Sequence, residues 1–354
     1  MTSPLAKNQV RSLRIAAGLT QTELAERAGV SRTAVTAIEG SRLVPSVATA
    51  LALAKVLGAT VEDLFREGEA EQGQPVVEWA WPPHDHFSPS GAGTPRHRAE
   101  IAGRVVQYPA SAQPMWSPWP EMGGEDAGAS AGETLVIAGC DPAVGLLAQR
   151  YAAATGLRLL VVPRSSRAAL EMLARGLVHL AGLHFSTSDD PDRNLQVAKE
   201  LLPAKFQLLR MAQWEEGIAV APSVKLKTVA AAGKAKLTWV GREAGSGARR
   251  CLDRLFDGRT TPRRQARNHR GVAEAIQSGW ADAGVCVRLA SAEAGLDFLP
   301  LEREAYDVCI PEALVHDRRV KAFIQVVKSA SYRKIMSALP GYDMKETGSL
   351  FGSR

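Results

Sequence analysis

The tripeptide Gly245-Ser246-Gly247 follows the apolar run LTWV and precedes a helical period that begins near Ala248. Glycines at such a junction let the backbone approach a ligand closely, and the N–H groups opening a helix carry partial positive charge, so the chemistry offered is anion binding. Arg242 and Arg249 add charge on either side. Three further short strings end apolar runs of strand type: Gly139-Cys140-Asp141 after TLVIAG, Arg164-Ser165-Ser166 after LRLLVVP, and His184-Phe185-Ser186 after HLAGL. They bring a thiol, a carboxylate, two hydroxyls and an imidazole to strand ends, where ligands of open α/β sheets lie.

A different chemistry is written near residue 32. Val35 and Ile38 point one face of a short helix inward, which leaves Arg32, Thr33 and Thr36 outward. Forked and short hydrogen-bonding side chains of this kind suit base edges and phosphates. Ser31 caps that helix, and Gly29 supplies the sharp turn before it.

Four cysteines, Cys140, Cys251, Cys286 and Cys309, show no CxxC spacing, so neither a zinc knuckle nor a disulfide scaffold is indicated. Cys251 and Cys309 read as core. Cys140 and Cys286 flank predicted ligand loops, and with His184 or His269 they define an alternative, a metal or redox sensor. The sequence holds no P-loop, no GxSxG elbow, no GxGxxG after a strand and no HExxH. The expectation is therefore a binding protein without cofactor, metal or catalytic residues. A Cys140–His184 nucleophile on the α/β domain is the enzymatic alternative.

These residues need elements to position them. Five helices fit the first 66 residues: one carrying Val10, Leu13 and Ala17; a second opened by the capping box Thr20-Gln21-Thr22-Glu23; the third from Arg32 to Glu39; and two more from Ser46 to Leu57 and Thr60 to Phe65. Leu51, Ala54, Leu57, Leu64 and Phe65 are expected in their core. Residues 69–132 read as a linker with strands at 76–81 and 100–109, and Trp79, Trp81, Trp116 and Trp119 there serve either as packing or as a ligand cage. From residue 133 apolar runs alternate with helices, at 142–155 and 166–176 and again at 248–256, as βαβ units of a parallel sheet do.

The string LTQTELAERAGVSRTAVTAIEGSRLVPSVATALALAKVLGATVEDLF resembles the XRE family of phage-repressor-like helix-turn-helix domains. That resemblance implies that helix three enters the major groove with Arg32, Thr33 and Thr36 near bases, that Gln21 and Arg42 hold phosphates, and that a homodimer reads a palindromic operator in double-stranded DNA. AGCDPAVGLLA, GLVHLAGLH, REAGSGAR, SGWADAGV and LDFLPLEREAYDV resemble the PBP-like domain, related to periplasmic solute-binding proteins of the molybdate-binding type. It implies ligand contacts from Cys140, Asp141, Ser165, Ser166, His184, Arg242, Ser246, Gly247 and Arg249, and an oxyanion such as molybdate or tungstate as ligand.

The expected architecture is multidomain: an all-α helix-turn-helix bundle (1–68), a small β-containing linker module (69–132) and a two-lobed α/β ligand-binding domain (133–354). Composition agrees, with 45% apolar and 23% charged residues, the balance of a soluble globular chain. The net charge is +6, and residues 1–66 hold eight Lys and Arg against five Asp and Glu, so the excess is denser where DNA contact is expected. No run approaches the length of a membrane span and no signal-peptide run opens the chain, so a cytoplasmic ligand-responsive regulator of transcription is the expectation.

Overall fold

A computed structural model describes residues 8–65, 77–81, 96–109, 131–257 and 262–352. They divide into two compact units, Met1–Pro75 and Val76–Arg354.

The described residues of the first unit form five helices: α1 (Val10–Ala16), α2 (Gln21–Ala28), α3 (Arg32–Glu39), α4 (Val47–Leu57) and α5 (Val61–Phe65). The capping box forms as its residue types dictate, with the Thr20 hydroxyl accepting from Glu23 N and the Glu23 carboxylate accepting from Thr20 N at 2.7 Å. Gly29 turns the chain with φ 66°, and the Ser31 hydroxyl accepts from Ala34 N to cap α3. Val10, Leu24, Val35, Ile38, Leu53 and Leu64 form the core. Leu51 does not join it and is 57% exposed. On α4 the inward stripe is Ala50, Leu53 and Ala54, and a residue two positions from Leu53 lies on nearly the opposite side of a helix with 3.6 residues per turn.

The second unit opens with a three-stranded sheet, β1 (Val77–Trp79), β2 (Arg96–Ile101) and β3 (Arg104–Pro109), in the order β1-β3-β2. The single strand expected over 100–109 is instead the end of β2, a turn and β3 of a hairpin. Ala102 and Gly103 both have positive φ, the geometry of a tight two-residue turn. The sheet packs on the following domain: Ala99, Ile101, Val106 and Tyr108 share a core with Val136, Leu160 and Leu170. Polar ties reinforce this packing. Tyr108 donates to Leu177 O at 2.6 Å, and Arg319 donates to Glu100 O and Thr134 O at 3.0 Å each. Trp81 meets Tyr108 edge-on at 6.0 Å and lies under Arg164, so it packs, whereas Trp116 and Trp119 lie outside the described residues.

Two lobes follow. The first holds β4 (Thr134–Gly139), α6 (Val144–Thr155), β5 (Arg158–Pro163), α7 (Ser166–Ala174), β6 (Leu180–Thr187) and α8 (Arg193–Leu201). The long strand β7 (Phe206–Val220) leads to the second lobe, made of α9 (Val229–Lys234), β8 (Trp239–Arg242), α10 (Gly247–Leu255), β9 (Arg264–Ala266), α11 (His269–Gln277), β10 (Ala283–Val287) and α12 (Arg288–Glu293). The equally long β11 (Asp297–Pro311) returns, and α13 (Arg318–Lys328), α14 (Ala330–Met336), β12 (Tyr342–Asp343) and β13 (Leu350–Phe351) close the unit. The sheet is mixed rather than parallel, in the order β5-β4-β6-β11-β7-β10-β8-β9. Within each lobe neighbours are parallel, while β7 and β11 pair antiparallel along their length and join the lobes. Among the described residues no helix is long and apolar enough to cross a membrane.

Candidate functional site

In the helical unit, Arg32, Thr33 and Arg42 are exposed at the start and just past the end of α3. Ser31 serves as the cap. Gln21 and Thr36 are half-buried and bonded to each other, Thr36 Oγ1 to Gln21 Oε1 at 3.2 Å. Gln21 Nε2 donates to Glu39 at 2.9 Å, and Glu39 is gripped by Arg14 at 2.5 and 3.2 Å. Burial works against the Glu39 charge, but Arg14 and Gln21 outweigh it and hold its pKa below the usual carboxylate range. The network locks α1, α2 and α3 together, so Gln21 and Thr36 set the angle of α3 as well as standing near its outer face.

The second group lies where the two lobes meet. Cys140 directly follows β4, and His184 lies in β6, fully buried. Cys140 Sγ is 3.1 Å from His184 Nε2, and His184 Nδ1 is 2.6 Å from Glu304 Oε2 on β11. Trp214 Nε1 donates to the same oxygen at 3.3 Å, and Arg250 of α10 reaches the other Glu304 oxygen at 3.5 Å. Burial opposes charge on His184, yet Cys140 and Glu304 at its two nitrogens raise its pKa well above the ordinary value. Burial likewise opposes charge on Glu304, and His184 outweighs it.

Behind this chain stand Glu216 of β7, His269 at the start of α11, and Arg242 at the end of β8, all at most 1% exposed. Burial and then the nearby Glu304 push the Glu216 pKa well up, whereas His184 holds that of Glu304 down. Burial, Arg242 and His184 keep His269 neutral. Glu216 Oε1 and Oε2, Arg242 Nη1 and His269 Nε2 have no hydrogen-bond partner among the described residues. Unpaired buried polar atoms are costly in a folded protein, and four in one place mark a site built for something other than its own side chains. Two ligand-type clusters overlap there, Cys140 with His184 and His269, and His184 with Glu216 and Glu304. Cys286 joins neither. All four thiols are free and buried.

The remaining predicted residues divide. Asp141 is turned away: one carboxylate oxygen accepts from Ala143 N at 2.8 Å and from the Tyr342 hydroxyl. Ser166 is spent on fixing β6, its hydroxyl accepting from His184 N at 3.2 Å, and Ser165 holds the N-cap position of α7 without closing a capping bond. Ser246 caps α10, and Arg249 pairs with Asp253 at 2.7 Å. Gly247 is where the lobes touch. A Cβ there would stand 2.6 Å from His184 Cε1, Nδ1 and O. Beside it opens a cavity of about 640 Å³ between α7, α8 and α10, lined among others by Arg167, Arg193, Gly245, Ser246, Arg249 and Arg250.

Of the residues that the sequence singled out, the structure brings Cys140, His184, Arg242, Ser246, Gly247 and Arg249 to the lobe junction, together with His269, which entered only in the metal or redox alternative. Residue chemistry missed Glu216, Glu304, Trp214 and Arg250. Glutamates inside strands read as solvent-facing positions, and the one available signal was their place in runs that are otherwise apolar.

Comparison with known proteins agrees with this architecture. Residues 8–67 match the model of a helix-turn-helix domain, and residues 148–328, more than half of the chain, match that of the PBP superfamily domain. The uncharacterised protein YvgK of Bacillus subtilis is 25% identical over 224 residues, covering 60% of this chain and 72% of that one. An uncharacterised HTH-type transcriptional regulator of Methanocaldococcus jannaschii is 41% identical over 59 residues, covering 17% of this chain and 89% of its own. Among solved structures, L-phospholactate-bound PEB3 covers 59% of this chain and 98% of its own at 15% identity and TM-score 0.44. PhnD1 from Prochlorococcus marinus in complex with methylphosphonate covers 63% and 93% at 12% identity and TM-score 0.42. The chain belongs to the PBP superfamily and carries a helix-turn-helix domain ahead of its two-lobed domain.

Proposed function

We propose that the protein is a ligand-responsive DNA-binding transcriptional regulator, acting in the cytoplasm as a homodimer on a palindromic operator. The observation that carries this reading is the union in one chain of a capped, outward-facing α3 with lobes that close on a buried polar cluster. Arg32 and Thr33 read base edges, while Gln21 and Arg42 meet phosphates. Ligand bound between the lobes favours the closed arrangement, and operator affinity shifts in proportion to the difference in ligand affinity between the two states.

The ligand is an anion. Arg167, Arg193, Arg249 and Arg250, with the start of α10 at Ser246 and Gly247, give one cavity a cationic wall drawn from both lobes. The inward turn of Asp141 removes the repulsion that its carboxylate would otherwise bring. Molybdate and tungstate are candidates, and a volume of about 640 Å³ also admits a small organic molecule bearing a phosphate-like or carboxylate group.

The test is thermal melting of the full chain against molybdate, tungstate, sulfate, phosphate and small organic acids. One anion should give a saturating stabilisation, about 2.7 kcal/mol at a hundredfold excess over Kd. Arg249→Ala should weaken it. No shift from any anion removes the anion assignment and leaves the DNA reading to its own test.

A second reading, thiol chemistry, is favoured by the Cys140–His184–Glu304 chain, which has the spacing of nucleophile, base and orienting carboxylate. Burial of all three shuts a substrate out of the closed lobes, so binding remains the better account. Turnover of an acyl substrate that disappears in Cys140→Ser would reverse that preference.

A further inference from the structure

We propose that the inner wall of the interlobe site is a transition-metal site, in which Cys140 Sγ, His184 Nε2 and His269 Nε2 hold one borderline or soft ion of the zinc or copper kind. This goes beyond the regulator reading and does not depend on it.

Three features of the geometry point to a metal. The first is the spacing of the donors. The ring centres of His184 and His269 are 5.4 Å apart. Two imidazoles on one tetrahedral ion, with metal–nitrogen bonds of about 2.0–2.1 Å, have ring centres about 5 Å apart. With a metal–sulfur bond of about 2.3 Å the sulfur and nitrogen stand about 3.6 Å apart, and Cys140 Sγ is 3.1 Å from His184 Nε2, so roughly half an ångström of movement admits the ion. Donor atoms of all three residues lie within 4.8 Å of one another.

The second feature is what stands behind each imidazole. Metal-bound histidines almost always donate their other N–H to a carboxylate, a carbonyl or water, which fixes the ring and strengthens the donor. His184 Nδ1 already meets Glu304 at 2.6 Å. His269 Nδ1 accepts a long, 3.3 Å bond from Val287 N, with Glu216 Oε1 only 4.0 Å away. Coordination through Nε2 puts the His269 ring proton on Nδ1, which gives up the bond from Val287 N, and a small rotation of Glu216 accepts the new N–H. Each histidine thus has its own buried glutamate, on the paired strands β7 and β11.

The third feature is the set of unpartnered atoms. His269 Nε2 and both Glu216 oxygens, in fully buried side chains, have no hydrogen-bond partner among the described residues. One cation bound to Nε2 accounts for the first directly and for one Glu216 oxygen through the ring N–H that it accepts. A nucleophilic role for Cys140 and His184 explains neither His269 nor Glu216. One sulfur and two imidazoles form a donor set that selects ions softer than magnesium or calcium. Binding needs a thiolate at Cys140 and a free lone pair at His184 Nε2, so the protons those two atoms carry leave to solvent, and no oxidation is involved.

The test uses the full chain, stripped with a chelator and titrated with Co²⁺ as a spectroscopic probe. The expected result is a thiolate-to-cobalt charge-transfer band that saturates at one equivalent and is bleached by Zn²⁺. Cys140→Ser should abolish the band, while Cys286→Ser and Cys309→Ser keep it. His269→Ala should weaken binding at least tenfold, and Glu304→Gln and Glu216→Gln should each weaken it about 10–100-fold. The wild-type titration stands even if a variant fails to fold. Absence of a saturating band in wild type overturns the proposal, as does a band that survives in folded Cys140→Ser.

Discussion

Gly247→Ala isolates the contact on which closure of the lobes depends. The added Cβ would sit 2.6 Å from His184 Cε1, Nδ1 and O, where ordinary contact begins near 3.4 Å. None of those atoms ends a flexible side chain. His184 is fully buried and held at both ring nitrogens. The start of α10 must therefore retreat by about 1 Å, and Arg250, which bonds Phe185 O at 2.5 Å and reaches Glu304, loses its partners. Overpacking of this size costs about 1–3 kcal/mol. In a unit of this length that lowers Tm by roughly 2–6 °C. The relief available is separation of the lobes, which uncovers Cys140 at their junction. In native buffer the wild-type thiols, all buried, should resist a disulfide-exchange reagent, whereas Gly247→Ala should expose one thiol that disappears again in the Cys140→Ser double variant. Gly233→Ala is the control, because its Cβ meets only Leu255 Cδ1 at 3.6 Å inside α9, and it should be neutral or stabilising by up to about 1 kcal/mol. An unchanged Tm together with inert thiols in Gly247→Ala would refute the close-contact argument.

Further outcomes follow from other named groups. Arg32→Ala and Thr33→Ala, both at exposed positions, should change stability by no more than about 0.5 kcal/mol. Each should cost about 1–3 kcal/mol in operator binding, read by fluorescence anisotropy. Glu39→Ala leaves Arg14, only 12% exposed, without its carboxylate and unties Gln21, and should destabilise the helical unit by about 1–3 kcal/mol in urea melts. His179 accepts from Val136 N, and its other ring nitrogen meets Glu100 O at 2.9 Å. Burial first and Arg319 second hold its pKa down at about 4, against 6.5 ordinarily. The unfolded chain then binds a proton that the folded chain refuses, so this contribution is complete above pH 6.5 and lost as pH falls toward 4. Between pH 7 and 4.5 wild type should lose about 2 kcal/mol more than His179→Gln; equal losses would contradict the assignment.

Local chemistry made the helical unit legible. Thr20 and Glu23, Gly29 and Ser31 each satisfy backbone groups within a few residues, so α2 and α3 could be bounded from sequence. Leu51 failed because α4 is rich in alanine and leucine all round, and only packing decides which stripe turns inward. In the second unit the strands β4, β5 and β6 are buried on both faces and read as apolar runs. The long β7 and β11 are not written as continuous runs. Arg210, Gln213, Glu215 and Glu216 break the pattern of β7, and pairing with β11 is a long-range fact that no local window contains. The inner wall was hidden for the same reason: Glu216 and Glu304 are ordinary glutamates until that pairing brings them behind His269 and His184.

The central claim is that one molecule couples an anion between its lobes to a duplex under α3. The measurement that tests it most directly is the affinity of the full chain for duplex fragments flanking its own gene, with and without the anion that raises its melting temperature. The account predicts saturable, sequence-selective binding that weakens steeply with salt, fails in Arg32→Ala, and changes at least fivefold when the anion is added. Binding that ignores sequence, or an affinity that the stabilising anion leaves unchanged, would contradict it.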